Sequence, residues 1–187
     1  YWVATVVLLT FFLFALWFFL RQVLVKGLGV DKTTFWLALC AVSFVMIQFV
    51  PELSESFFWF NGGVAYTLMW SLMLVRYGVM LCHARSQRSA RRAAWFVLLL
   101  ALSLLMGGAK YSTVLFSCCV DGLIVLYGLV RGRKGRWERL AAFALMLGGL
   151  VFSALAPGNA VRAATLHGGM SAPKAVLQAL YFGVALM

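Results

Sequence analysis

Glu52, Glu55 and Trp59 recur at i, i+3 and i+7 within the segment 51–63. On a helix this spacing places both carboxylates and the indole on one face. Such a face could take a proton from a hydroxyl, or hold a metal, above an aromatic platform suited to a sugar ring. The segment holds two of the five acidic residues of the chain, and it runs on into Asn61, whose amide can bond hydroxyls, and Tyr66. A boundary helix without chemistry would use the same residues. Pro51 suits a first helical position, carboxylates in a first turn complement the helix dipole, and Trp and Phe gather where apolar and aqueous phases meet. At this point both readings stand.

A second constellation is Ala156-Pro157-Gly158-Asn159-Ala160-Val161-Arg162. Pro157 and Gly158 end one helix, Asn159 can cap the next, and Arg162 falls in its first turn, where free backbone donors and a guanidinium could seat a phosphate. An ordinary capped turn with a solvated Arg reads the same way. A third is Arg76 with Asp121, each inside an apolar run. Counted inward at about 1.5 Å per residue, they lie about 18 Å and about 14 Å deep, close enough to pair. Arg76 could instead snorkel outward and leave Asp121 facing a cavity. Lys110-Tyr111 could attract a phosphate and bond a sugar hydroxyl, although both types also serve as plain boundary anchors. His83 beside a basic cluster and His167 in a Gly-rich stretch have no metal-ligand spacing, so solvated or interfacial positions are expected. Cys40, Cys82, Cys118 and Cys119 read as apolar packing residues.

The elements that must position these groups are apolar. Hydrophobic residues make up 64% of the 187-residue chain and charged ones 11%, which excludes an ordinary soluble domain. A hydrocarbon core of about 30 Å needs roughly 20 apolar residues per helix. Runs at 2–20, 33–50, 64–82, 93–109, 112–130 and 140–156 fit, and 175–187 begins a seventh. Their continuous apolarity predicts an all-α, polytopic transmembrane bundle rather than a barrel of alternating strands. Gly107-Gly108 and Gly148-Gly149 are expected to let helices approach closely. One membrane domain over 1–187 is the economical reading. The chain reads as truncated at both ends, since it opens and closes inside apolar runs.

The net charge of +11 is distributed by topology. Arg21, Lys26 and Lys32 flank the first connection, Arg85, Arg88, Arg91 and Arg92 fill the third, and Arg131, Arg133, Lys134, Arg136 and Arg139 fill the fifth. These twelve of sixteen basic residues assign the odd connections to the cytoplasm and the even ones to the outside. Short basic tracts beside apolar runs call for membrane lipids as partners, not nucleic acid.

Trp59-x-x-Gly62-x-x-x-Tyr66 after an acidic segment, followed by Ala156-Pro157-Gly158-Asn159-x-x-Arg162, resembles a family of uncharacterised bacterial polytopic membrane proteins. That family is similar in topology to the C-type membrane glycosyltransferases. The resemblance implies an enzyme of the bacterial inner membrane that transfers a sugar from a polyprenyl-phosphate-linked donor at the external face, in cell-envelope polysaccharide or glycolipid modification. The acidic residue that such enzymes carry in their first external loop is expected before this chain and is not equated with Glu52 or Glu55. On chemical grounds Glu55 is the preferred base or positioning carboxylate, Glu52 its supporter and Arg162 the phosphate ligand. Trp59 and Tyr66 would shape the sugar site, Asn61 would bond hydroxyls, and Lys110, Tyr111 and Asn159 would join the substrate contacts. A carboxylate pair and a donor phosphate could share a divalent cation, which the sequence does not demand. Two other classes use the same residues. One is a transporter or flippase of lipid-linked sugars with Asp121 as a coupling group, and the other is a noncatalytic membrane scaffold.

Overall fold

The structure, a computed structural model, describes residues 2–49 and 54–157. The described residues are helical and include no strand. Their main helices are α1 (Trp2–Leu28), α2 (Lys32–Gln48), α3 (Phe60–Arg85), α4 (Ser89–Gly107), α5 (Tyr111–Val130) and α6 (Arg136–Ala154). All but α2 are long and apolar enough to cross a membrane; α2 is a shorter apolar helix of 17 residues. The protein is thus a multi-pass, membrane-embedded helical bundle. Each expected run through residue 156 corresponds to one of these helices, with the runs 33–50, 93–109 and 140–156 extending two residues past their helix ends; Val50 and 175–187 fall outside the described residues. Helical hydrogen bonding carries α1 beyond the apolar run, through a wider π-type turn at Arg21–Val25.

The chain divides into two compact units, Tyr1–Ser153 and Ala154–Met187, and of the second only residues 154–157 are described. Within the first unit α3 is the hub. Leu74 packs with Ala15 and Leu16 of α1 and with Phe35 and Leu39 of α2. Val79 packs with Leu99 and Leu102 of α4 and Ala142 of α6. Met73 and Tyr77 join Met106, Val114 and Met146 from α4, α5 and α6.

Polarity is arranged inside out relative to a soluble bundle. Ser71, Arg76, Ser103, Ser117 and Asp121 are buried, while Val97, Leu105, Phe116, Leu123, Leu126 and Phe152 are exposed. In lipid, apolar side chains need no shelter, and polar ones find partners only between helices.

Glycine sets the closest helix approach. A Cβ on Gly107 would come within 2.7 Å of the Gly149 Cα and 2.8 Å of the Met146 carbonyl oxygen. The small pair at 107 and 149 therefore brings α4 and α6 into backbone contact, as expected of these glycines, whereas Gly148 points into open space. At the basic end Gly29 closes α1 in the left-handed conformation (φ 70°). Asp31 then caps α2, accepting hydrogen bonds from the Thr34 backbone N–H at 3.0 Å and the Thr34 hydroxyl at 2.6 Å.

Candidate functional site

Two polar features lie along α3. The deeper one centres on Arg76, which is 1% exposed, and Asp121 of α5, which is 3% exposed. Arg76 Nε donates to Ser103 Oγ of α4 at 2.8 Å, and that hydroxyl donates to the Leu99 carbonyl at 2.7 Å. Arg76 Nη2 stands 2.5 Å from Asp121 Oδ2. The contact is a close ion pair whose alignment falls short of a hydrogen bond. Arg76 Nη1 is buried without a protein hydrogen-bond partner, while the Tyr77 hydroxyl, Ser117 Oγ and the Asp121 carboxylate are buried against one another. The Tyr77 hydroxyl faces Ser117 and Asp121. Low dielectric makes an unmet donor or acceptor costly, which favours keeping these polar groups together between the helices.

The second feature lies at the opposite end from the basic connections. A cavity of about 280 Å³ opens among α1, α2 and the start of α3, lined by Phe12, Met46, Phe49, Phe57, Tyr66 and Trp70, with Ser56 and Thr67 as its polar members. A π-type turn at Ser54–Phe58 forms one wall. The Thr67 hydroxyl donates to the Ser56 carbonyl at 2.5 Å and ties that turn to α3. Phe57 is buried with its ring edge-on to Phe12, centroids 6.1 Å apart. Outside the cavity lining, the Lys110 ammonium sits 3.5 Å from the centroid of the Tyr66 ring. An ammonium held against an aromatic face keeps its charge while shedding part of its hydration, which suits it to meet a phosphate.

Of the residues singled out from the sequence, Tyr66 and Lys110 meet directly, though 44 positions separate them (110 − 66). Tyr111 opens α5 next to Lys110 and is exposed, as are Trp59 just before α3 and Asn61 in its first turn. Glu55 lies in the turn at Ser54–Phe58, with its side chain outside the described residues. Glu52, Asn159, Arg162 and His167 also fall outside the described residues.

Three expectations are corrected. Glu55 and Trp59 do not share one continuous α-helical face, because the turn is π-wound and Trp59 is extended (φ −91°, ψ 118°) before α3 begins. Burial of Phe57 and the Thr67–Ser56 bond outweigh helix continuity there. His83 is buried, not solvated, at 3% exposure. Its Nε2 is 4.0 Å from Glu138 Oε1 and its ring 5.7 Å from that of Phe96. Arg92 Nη2 donates to both oxygens of Glu138 at 2.7 and 2.8 Å, so Glu138 links α4, α6 and His83. Lastly, Cys40 and Cys119 are exposed on an apolar surface instead of packed inside.

Among the described residues no group of three His, Cys, Asp or Glu side chains is placed to hold a metal ion. The sequence reading missed Tyr77, Ser103 and Ser117 at the buried pair and Glu138 at the basic end. The available signal was polarity inside an apolar run for the first three, and a lone acid between Arg136 and Arg139 for the last. No protein-family model matches the chain, and neither does any curated protein or solved structure.

Proposed function

We propose that this protein is a membrane glycosyltransferase that takes a sugar from a polyprenyl-phosphate-linked donor at the end opposite its basic connections. In the orientation given by the charge bias, that end is the external face of a bacterial inner membrane. The observation that carries the reading is the aromatic cavity beside the Lys110–Tyr66 contact. Aromatic walls suit both a prenyl chain and the apolar face of a sugar, and the ammonium held against Tyr66 suits a phosphate. The acceptor hydroxyl attacks the anomeric carbon, its proton passes to the Glu55 carboxylate, and the sugar–phosphate bond breaks with both electrons leaving on the phosphate oxygen. Lys110 and Arg162 stabilise that departing charge. The mechanism routes no step through a metal.

The test is transfer by the full-length chain in detergent, with polyprenyl-phosphate sugars and a panel of acceptors. Glu55→Gln is expected to lower kcat by about 10²- to 10⁴-fold. Lys110→Gln is expected to raise the KM for the donor by about two- to fivefold, the size of an exposed cation contact. Normal transfer by both variants would refute the reading.

A second reading, transport of a lipid-linked sugar, is favoured by the buried polar cluster around Arg76 and Asp121. It requires movement of the donor across a sealed bilayer with no new glycosidic bond, and loss of that movement in a folded Asp121→Asn variant.

A further inference from the structure

The basic end holds a feature that neither reading uses. Where α1 and α3 leave the apolar layer and α4 enters it, a cavity of about 640 Å³ is lined by Lys26, Arg85, Arg88 and Arg91, with no carboxylate among its lining residues. Four cations around one hollow repel one another unless an anion joins them. The hollow is built rather than incidental. Arg85 Nη1 donates to the Gln22 carbonyl oxygen at 2.8 Å, which fixes the guanidinium across the gap between α1 and α3. Gly27 makes room for it, since a Cβ there would come within 3.1 Å of Arg85 Nη2.

Two of the lining residues carry buried atoms with unmet hydrogen-bonding capacity. Gln22 is 3% exposed, lies in the π-type turn of α1, and has a buried Oε1 without a protein partner. Ser86 Oγ is likewise buried and unpartnered. Both line the same cavity. The site therefore presents positive charge to an anion, with an unmet hydroxyl and an unmet amide oxygen held in its wall. Trp95, one turn and a half into α4, supplies an apolar wall at head-group depth.

We propose that this cavity binds the head group of an anionic phospholipid, with the phosphodiester held by Arg88, Arg91, Lys26 and Ser86, and a hydroxyl of a glycerol-type head group donating to Gln22. Basic hollows between helices at the cytoplasmic boundary have the chemistry for such lipids. The inference is independent of the glycosyl-transfer reading, because it uses the other end of the bundle. A soluble glycerol phosphate shares the same chemistry, and the test separates the two sources.

The full chain in detergent is titrated with phosphatidylglycerol, phosphatidylcholine or glycerol 3-phosphate, and bound molecules are counted by native mass spectrometry. Arg88→Gln with Arg91→Gln is expected to weaken phosphatidylglycerol binding about 25-fold, at about fivefold per charge. Ser86→Ala, which leaves every charge in place, should weaken it about tenfold. Arg131→Gln with Arg133→Gln removes the same charge from the same end outside the cavity and should change binding less than about twofold. That pattern, with phosphatidylglycerol preferred over phosphatidylcholine, supports the lipid. Arg88- and Arg91-dependent binding of glycerol 3-phosphate, without preference for phosphatidylglycerol, overturns the lipid and assigns the site to a soluble phosphate. Equal losses in the two double variants, or no loss in either, would show nonspecific attraction and overturn the site itself.

Discussion

Arg76 and Asp121 are buried together in the middle of an apolar bundle, where an unpartnered charge is costly, so each depends on the other as its partner. Removing one partner strands the second. Arg76→Met or Asp121→Asn is expected to lower stability by about 3–5 kcal/mol, and Arg76→Met combined with Asp121→Leu to recover most of the loss. Unfolding of the purified variants in detergent measures both, and a double variant as unstable as the singles would contradict the pairing. The pair was legible in the sequence because two charges inside apolar runs have few places to go. Its neighbours were not. Ser103, Ser117 and Tyr77 are tolerated on lipid-facing and inward-facing surfaces alike, and only the rotation of α3, α4 and α5 decides which they occupy. The meeting of Tyr66 with Lys110 was hidden for the same reason, since the tertiary arrangement of α3 and α5 makes that contact.

Helix lengths follow from hydrophobic run lengths, and for that reason α1 to α6 were readable to within a few residues at most ends. The break at Trp59 was not readable, because the spacing of Glu52, Glu55 and Trp59 also fits an unbroken helix while Phe57 burial and the Thr67 bond act from outside the segment. Close packing of α4 and α6 gives a sharp contrast between adjacent glycines. Gly149→Ala meets backbone atoms of Gly107 and is expected to cost about 1–3 kcal/mol, whereas Gly148→Ala meets nothing and should be neutral or slightly stabilising. Thermal unfolding of the two variants is the check. At the start of α2, hydrogen bonds from the Thr34 hydroxyl and amide hold the Asp31 carboxyl below its ordinary value of 3.8. The unfolded chain therefore binds this proton more readily than the folded one. The cap contributes fully above the ordinary value and fades as pH falls through the lower folded value. Protection of the Thr34 amide, taken as the ratio of intrinsic to observed exchange rate, should fall as pH drops below about 4, and Asp31→Asn should flatten that dependence.

At the scale of the molecule, twelve basic residues gather at one end of the bundle and fix its expected orientation. In a background with the four native cysteines replaced, Tyr111→Cys should react with an impermeant thiol reagent applied to intact cells, while Gly132→Cys should react only after lysis. The opposite pattern would invert the assignment of both ends and move the aromatic cavity to the cytoplasmic side. One more consequence lies in α2. Its 17 residues span about 25 Å, roughly 5 Å less than a typical hydrocarbon layer. Lipid flanking α2 must thin, or the bundle must lean, to avoid stretching that helix across too thick a slab. Met46 and Phe49, at the far end of the same helix, line the aromatic cavity. The shortfall thus falls on the helix whose far end lines the aromatic cavity, so any local thinning of the bilayer is centred beside the cavity mouth.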